Sequence, residues 1–313
     1  MLNLPHDTSH PMSEYYKRLR KFEFTDILGW SYSRYNTFQQ CKRKYYYEYY
    51  RKRDIENLAK TGVLKELTTV PLEIGNISHK LIQALLSRLQ KSAQEIDREK
   101  FYDYARRTVH EICKGKTFED VYYKKRDAID FDTEIFEPVM LAMKNFLESD
   151  RLQWLFEEAL VTKDDWIIEF EDQNKFGECR IDNQKAYCKV DFLFPVDGRL
   201  HIIDWKTGKE DYAKHSIQLR GYAGWANFQF GTDLSEISTT IAYLLPEYKE
   251  TTIVLNEYDI DDFAMRVREQ TDSMHSYCEV PELNIPFPKE KFEMTPLENF
   301  CKTCKYRELC DRH

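Results

Sequence analysis

Ala186-Tyr187-Cys188-Lys189-Val190-Asp191-Phe192-Leu193-Phe194, then Pro195 to Arg199, then Leu200-His201-Ile202-Ile203-Asp204-Trp205-Lys206-Thr207-Gly208, is the stretch whose reading decides the fold. Two apolar runs flank a segment containing Pro195, Asp197 and Gly198, which predicts a β-hairpin with a five-residue loop. Each run carries an acidic residue, Asp191 or Asp204, where a buried strand ordinarily has none. Asp204 and Lys206 are two apart, so on a strand their side chains share a face while Trp205 points to the other. Two carboxylates and an ammonium on one face could hold a divalent metal and activate a water. By itself, the hairpin would be read more simply as a salt-bridged pair on a solvent-facing sheet.

Length and composition set the frame for that hairpin. A chain of 313 residues can bury a substantial core as one elaborated domain or as a domain with a large insertion. With 42% hydrophobic and 32% charged residues it has the make-up of a globular protein. No apolar run is long enough for a membrane helix, and Met1 to Pro11 lacks a basic-then-apolar signal, so the expected compartment is the cytoplasm. In such a reducing space the eight cysteines are expected to be thiols or metal ligands. A formal charge of −8 argues against a uniformly basic nucleic-acid coat but leaves room for a local basic groove.

The rest of the chain divides by pattern into residues 1–60, 61–90, 91–160, 161–260 and 261–313. In the first segment a short charged helix is expected over Ser13 to Phe22. Ser33 is a candidate N-cap, with Tyr35, Phe38 and Cys41 at helical spacing behind it. Lys42-Arg43-Lys44-Tyr45 opens a basic, tyrosine-interleaved run to Arg53, a pattern suited to tracking phosphates and stacking bases. The same run would equally make an amphipathic helix with a tyrosine core face and a solvated basic face. Thr61 to Pro71 reads as a loop. Gly75 then opens an amphipathic helix to about Gln90, with His79 in its first turn; a lone histidine there is more often packed than a ligand.

Residues 91–160 read as helices (Glu99 to Lys114, Ile135 to Glu148, Arg151 to Ala159) forming an insertion without a chemical motif. Strands return at Trp166 to Glu171 and Gly177 to Arg180. After the hairpin a helix from about His215 to Phe230 puts Gln218 and Tyr222 on one face. An apolar strand from Thr239 to Leu245, an alternating strand to about Tyr258, and a helix from Asp261 to Cys278 follow. The tail ends in Cys301-x2-Cys304-x5-Cys310.

A helix with GxxxH, strands with Asp and then Asp-x-Lys, a helix with QxxxY, and a further strand together resemble the PD-(D/E)XK nuclease superfamily. The closer likeness is to its RecB-like branch, which includes CRISPR-adaptation nucleases carrying an iron–sulfur cluster. The matching residues are Gly75 and His79, Asp191, Asp204 and Lys206, and Gln218 and Tyr222. The resemblance implies an α/β, restriction-endonuclease-like core, with a mixed sheet flanked by helices. A helical insertion and an iron–sulfur cap joining the two termini would complete it. It further implies a magnesium- or manganese-dependent deoxyribonuclease, an exonuclease on single strands or DNA ends. Lys206, Asp191, Asp204, Gln218 and Tyr222 would be catalytic. His79, Asp191, Asp204 and the Ile203 carbonyl or its neighbour would ligate the metal. Glu169 is a candidate additional acid, favoured over Glu171 because Ile168 and Phe170 would then face the core.

Three cysteines in the tail are one ligand short of a closed site. The resemblance supplies Cys41, so that Cys41, Cys301, Cys304 and Cys310 would hold a [4Fe–4S] cluster, with zinc the alternative. Lys42 follows Cys41 where relatives usually carry proline. The expected partner is DNA, reached without a membrane and together with a separate helicase or a CRISPR or recombination protein; no G-x-x-x-x-G-K-[ST] motor motif is present. Two other classes compete: a catalytically silent DNA-binding subunit of such a complex, and an iron–sulfur assembly or electron-transfer protein.

Overall fold

The structure is a computed structural model and describes residues 18–20, 22–23, 25–92, 94–168 and 178–312. The expected helix over Ser13 to Phe22 falls mostly outside them, as do Glu169, Glu171 and Gly177.

The architecture is α/β. The described residues form a five-stranded mixed sheet from β1 (Ile167–Ile168), β4 (Phe192–Val196), β5 (Arg199–Lys206), β6 (Ile237–Tyr243) and β7 (Lys249–Val254), in the order β1-β4-β5-β6-β7. A separate two-stranded sheet pairs β2 (Glu178–Ile181) with β3 (Gln184–Tyr187). All neighbours in the larger sheet are antiparallel except β5 and β6. A parallel neighbour requires a crossover, here the helix Tyr212–Phe230. β5 is thus central, with β4 on one side and β6 on the other.

The hairpin differs from its expected form. Val196 pairs with Arg199, so the turn is only Asp197-Gly198, both in the left-handed region (φ 50° and 77°). Two such residues in succession match the tight primed turn that continues the right-handed strand twist. Pro195 is therefore a strand residue opposite Leu200. It is tolerated there because β1 covers only Phe192 and Leu193, leaving β4 an edge at Pro195 among the described residues. Ala186 and Tyr187 belong to β3 instead, and Asp191 stands just ahead of β4.

Helices cover both faces. We number them α1 (Tyr32–Gln40), α2 (Lys42–Tyr49), α3 (Leu58–Lys65), α4 (Val70–Lys91), α5 (Arg98–Cys113), α6 (Glu119–Tyr122), α7 (Glu137–Leu147), α8 (Asp150–Glu157), α9 (Tyr212–Phe230) and α10 (Glu257–His275). On one face Phe192, Phe194, Ile203 and Trp205 join Ile77, Leu81 and Leu85 of α4 and the insertion helices. On the other, Leu193, Ile202 and Ile241 meet Leu219, Tyr222 and Trp225 of α9 and Phe263 of α10.

Several helix boundaries move, each for a local reason. Ser31, not Ser33, caps α1 by accepting the Arg34 N–H at 3.2 Å. The expected loop Thr61 to Pro71 is mostly helix, because Thr69 caps α4 and Pro71 fits its first turn, where an N–H has no partner to lose. Gly75 and His79 consequently lie inside α4 instead of opening it. α10 begins at Glu257 behind an Asn256–Asp259 capping box, so Tyr258 is helical and Cys278 begins a short strand.

Candidate active site and cysteine cavity

The carboxyl end of β5 gathers most of the chemically suggestive residues. Asp204 and Lys206 project to the α9 face, and the ammonium of Lys206 lies 2.5 Å from Asp204 Oδ2. Asp204 Oδ1 accepts the Tyr222 hydroxyl at 2.8 Å. Asp191, placed just before β4 on the same side, accepts the Trp205 N–H at 3.0 Å. His79 reaches the strand end from α4: its Nδ1 is 3.4 Å from Asp191 Oδ2 and its Nε2 is 2.8 Å from the Trp205 carbonyl. Gly75 leaves room for that approach, since a Cβ added there would stand a tight 3.3 Å from Thr207 Oγ1.

Electrostatics separate the two carboxylates. Burial raises Asp204, and the neighbouring Asp191 charge raises it further against the pull of Lys206 and Tyr222. Burial also works against ionised Asp191, yet His79, Lys206 and the Trp205 N–H outweigh it and hold that carboxyl below its usual range. For His79, burial disfavours the charged ring, but the charge and hydrogen bond of Asp191 prevail and lift it to about 9. Burial opposes the Lys206 charge, and Asp204 and Asp191 more than offset this. The site therefore holds two opposed ion pairs, His79–Asp191 and Lys206–Asp204.

That pairing departs from the expected ligand set. Among the described residues no three His, Cys, Asp or Glu side chains stand together as a group that could hold a metal ion. Here the His79 ring and the Lys206 ammonium stand against the carboxylates. The carbonyl that the site engages is Trp205's; Ile203, expected to supply it, is flanked by Phe192 on β4 and Thr240 on β6. The donor chemistry nevertheless suits a hard divalent cation. Both carboxylates are buried, and Asp204 Oδ2 has no aligned hydrogen-bond donor, only the Lys206 charge.

Other expected residues fall differently. Gln218 shares the α9 face with Tyr222 but is half-buried and makes no side-chain hydrogen bond among the described residues. Tyr45 offers no face to a base: it is fully buried and takes the Arg34 Nε–H at 3.1 Å. Tyr46 and Tyr47 are buried with it, so tyrosine spacing on α2 served the core. Of the flanking cations, Lys42 and Arg43 bond to the chain itself, while Lys52 and Arg53 are exposed. Lys42 donates to the Phe38 carbonyl at 2.8 Å, and Arg43 donates to that of Phe292 at 2.9 Å. Tyr243 and His215, which no motif singled out, sit beside Lys206.

Cys41 meets the C-terminal cysteines in a second site. Cys41, Cys301, Cys304 and Cys310 line one cavity together with Lys44 and Arg312, and all eight cysteines are free thiols. Cys41 Sγ accepts the N–H groups of Lys44 at 3.5 Å and Thr295 at 3.4 Å, and Cys301 Sγ accepts Arg312 at 3.6 Å. Such donors stabilise negative charge on sulfur, but burial raises Cys304 and lifts Cys310 to about 11, and among the described residues the four thiols do not stand as a group that could hold a metal ion.

The fold and site are thus a mixed sheet between helical layers, with Asp204 and Lys206 at the end of its central strand and Asp191 and His79 beside them. A model of the PD-(D/E)XK nuclease superfamily matches residues 29–311, and the chain belongs to that superfamily. Its members are in general hydrolytic nucleases that use divalent metals such as magnesium. The solved structure described as "Crystal structure of SSO0001" is similar at 16% identity and a TM-score of 0.27, covering 62% of this chain and 78% of that one. No curated protein matches. No helix among the described residues is long and apolar enough to cross a membrane.

Proposed function

We propose that this chain is a divalent-metal-dependent deoxyribonuclease of the RecB-like branch, acting as an exonuclease on single-stranded DNA or DNA ends. The observation that carries the reading is the meeting of Asp191, Asp204, Lys206 and His79 at the end of β5, with Tyr222 on Asp204. Asp191 and Asp204 would hold magnesium or manganese, and His79 would join them once it loses the proton it shares with Asp191. Bound there, the cation supplies charge for the phosphate and a more acidic water. The chain's own part is to aim the carboxylates and to favour the ionised form of Asp191. Tyr222 holds Asp204 Oδ1, and the Trp205 N–H holds Asp191. Lys206 reaches the same point as a donor, able to orient the attacking water or to neutralise charge on the pentavalent phosphate.

The preference for ends and single strands rests on the family likeness and on the lack of a recognisable DNA-reading module in the sequence. We further propose that Cys41, Cys301, Cys304 and Cys310 hold a structural [4Fe–4S] cluster, supported by their shared cavity and the N–H donors to Cys41. The setting is cytoplasmic, with a helicase or a CRISPR or recombination protein as a separate partner.

End-labelled single-stranded and duplex DNA, incubated with magnesium or manganese and anaerobically purified protein, tests this. The wild type is expected to give a ladder and Lys206→Ala none, a loss of at least about 1,000-fold for a charge that acts in the transition state. Equal inertness of both proteins, with DNA still bound, would leave a DNA-holding subunit instead. Iron and acid-labile sulfide analysis separates a cluster from zinc.

A further inference from the structure

The parallel register sets Tyr243 of β6 beside Lys206 of β5, and the two strands stay joined past that point by the Leu244 N–H on the Lys206 carbonyl at 2.8 Å. Paired residues on neighbouring strands project to the same face, so the tyrosine ring flanks the lysine stem. Tyr243 is 3% exposed and its hydroxyl serves two partners. It accepts the Asp211 N–H at 3.3 Å and lies 2.8 Å from His215 Nδ1. Asp211 is also the cap of α9, accepting the Lys214 N–H at 3.0 Å, and His215 sits in the first turn of that helix, 6% exposed.

One hydroxyl therefore ties β6, the parallel neighbour of the strand that carries Lys206, to the start of the helix that carries Tyr222. The connection from β5 to that helix, Thr207 to Asp211, is pinned at both ends. Burial pushes His215 down to about 4, and Lys206 and Lys214 push the same way, so the ring is neutral at physiological pH. A neutral ring can accept at Nδ1, and since Tyr243 Oη already accepts from Asp211, its own hydrogen is available for that nitrogen. Neutrality also means that His215 adds no second positive charge next to the ammonium.

We propose that Tyr243 and His215 are positioning residues for Lys206, their hydrogen bond fixing where the ammonium and the Tyr222–Asp204 contact stand relative to each other. The inference rests on the nuclease reading above. Neither side chain has to touch DNA for this, so the effect belongs to turnover and leaves binding alone.

Steady-state cleavage of an end-labelled single strand by the full chain tests it. His215→Leu and Tyr243→Phe are each expected to lower kcat about tenfold with KM within about twofold, a loss of the size that small misplacements produce. The double variant should be no worse than either single one, because one bond is removed twice. His215→Asn, whose Oδ1 can accept where Nδ1 did, should retain most of the rate. Unchanged kcat in both single variants overturns the inference, as does a fall in His215→Asn equal to that in His215→Leu. If His215→Leu fails to fold, Tyr243→Phe, which deletes only an oxygen, decides alone. An active wild type with indifferent variants defeats this inference only; a wild type inert with magnesium and manganese defeats the nuclease reading and this one with it.

Discussion

His201 lies almost flat against Phe194, with ring centroids 5.3 Å apart and planes at 15°, and Trp154 packs on it at 5.3 Å. Burial lowers it to about 4, helped by Arg151 and Arg199. Its neutral ring is therefore favoured in the fold, whereas the unfolded chain takes up a proton near pH 6.5. The unfolded state gains that proton first, so stability falls as pH drops below about 6.5 and levels off near 4. His201→Phe should lose less stability between pH 7 and pH 5 than the wild type, measured as the shift in urea midpoint, while the share of His215 persists. An identical shift in both proteins would contradict this reading. At the same scale, Tyr45 shows how residue type alone misleads. A tyrosine among lysines suits stacking on DNA and suits a core equally well, and its ring went to Phe38 at 5.2 Å and Phe292 at 6.5 Å.

The spacing of α4 from the end of β5 depends on one missing side chain. Gly75 faces Thr207 Oγ1, and one turn further along His79 meets Asp191 and the Trp205 carbonyl. Gly75→Ala adds a Cβ at 3.3 Å from that oxygen, a tight contact that a small shift relieves, and it improves helix propensity by about 1 kcal/mol. Its melting temperature should hold or rise while cleavage slows only a few-fold. Gly75→Leu should push the helix start away and cost about 100-fold in single-turnover rate. Equal rates for Gly75→Leu and the wild type would show that the approach does not matter. The GxxxH spacing was visible in sequence as a helical pair. What glycine was making room for was not, because Thr207 arrives from a strand more than a hundred residues away.

The cysteine-bearing tail is fastened to α4, the helix that carries His79, through the insertion. Arg307, 5% exposed, pairs with Glu119 of α6 at 2.5 Å and lies 3.3 Å over the Tyr123 ring. The Glu119 N–H in turn bonds the Thr68 carbonyl at 2.8 Å, and the Thr68 hydroxyl bonds Glu73 in the first turn of α4. Arg307→Met leaves Glu119 buried without its partner and is expected to cost about 3–5 kcal/mol. Adding Glu119→Gln should recover part of that, both read from denaturant midpoints; a single variant as stable as the wild type would mean the pair is idle. Local patterns in the sequence determined most of the element types and the common face of Asp204 and Lys206, though not the helix over much of Thr61 to Pro71, and the ordered set of motifs carried the likeness to the superfamily. The element types and the shared face rest on short-range geometry, the period of two on a strand and 3.6 on a helix, and the likeness rests on the motif residues themselves. Only the tertiary structure decided the tight hairpin, the inward tyrosines, the ion pairing of His79 and Lys206, and the Tyr243–His215 contact beside the lysine. Those follow from strand register and helix docking, which are set by packing between segments far apart in the chain and leave no periodic trace along it.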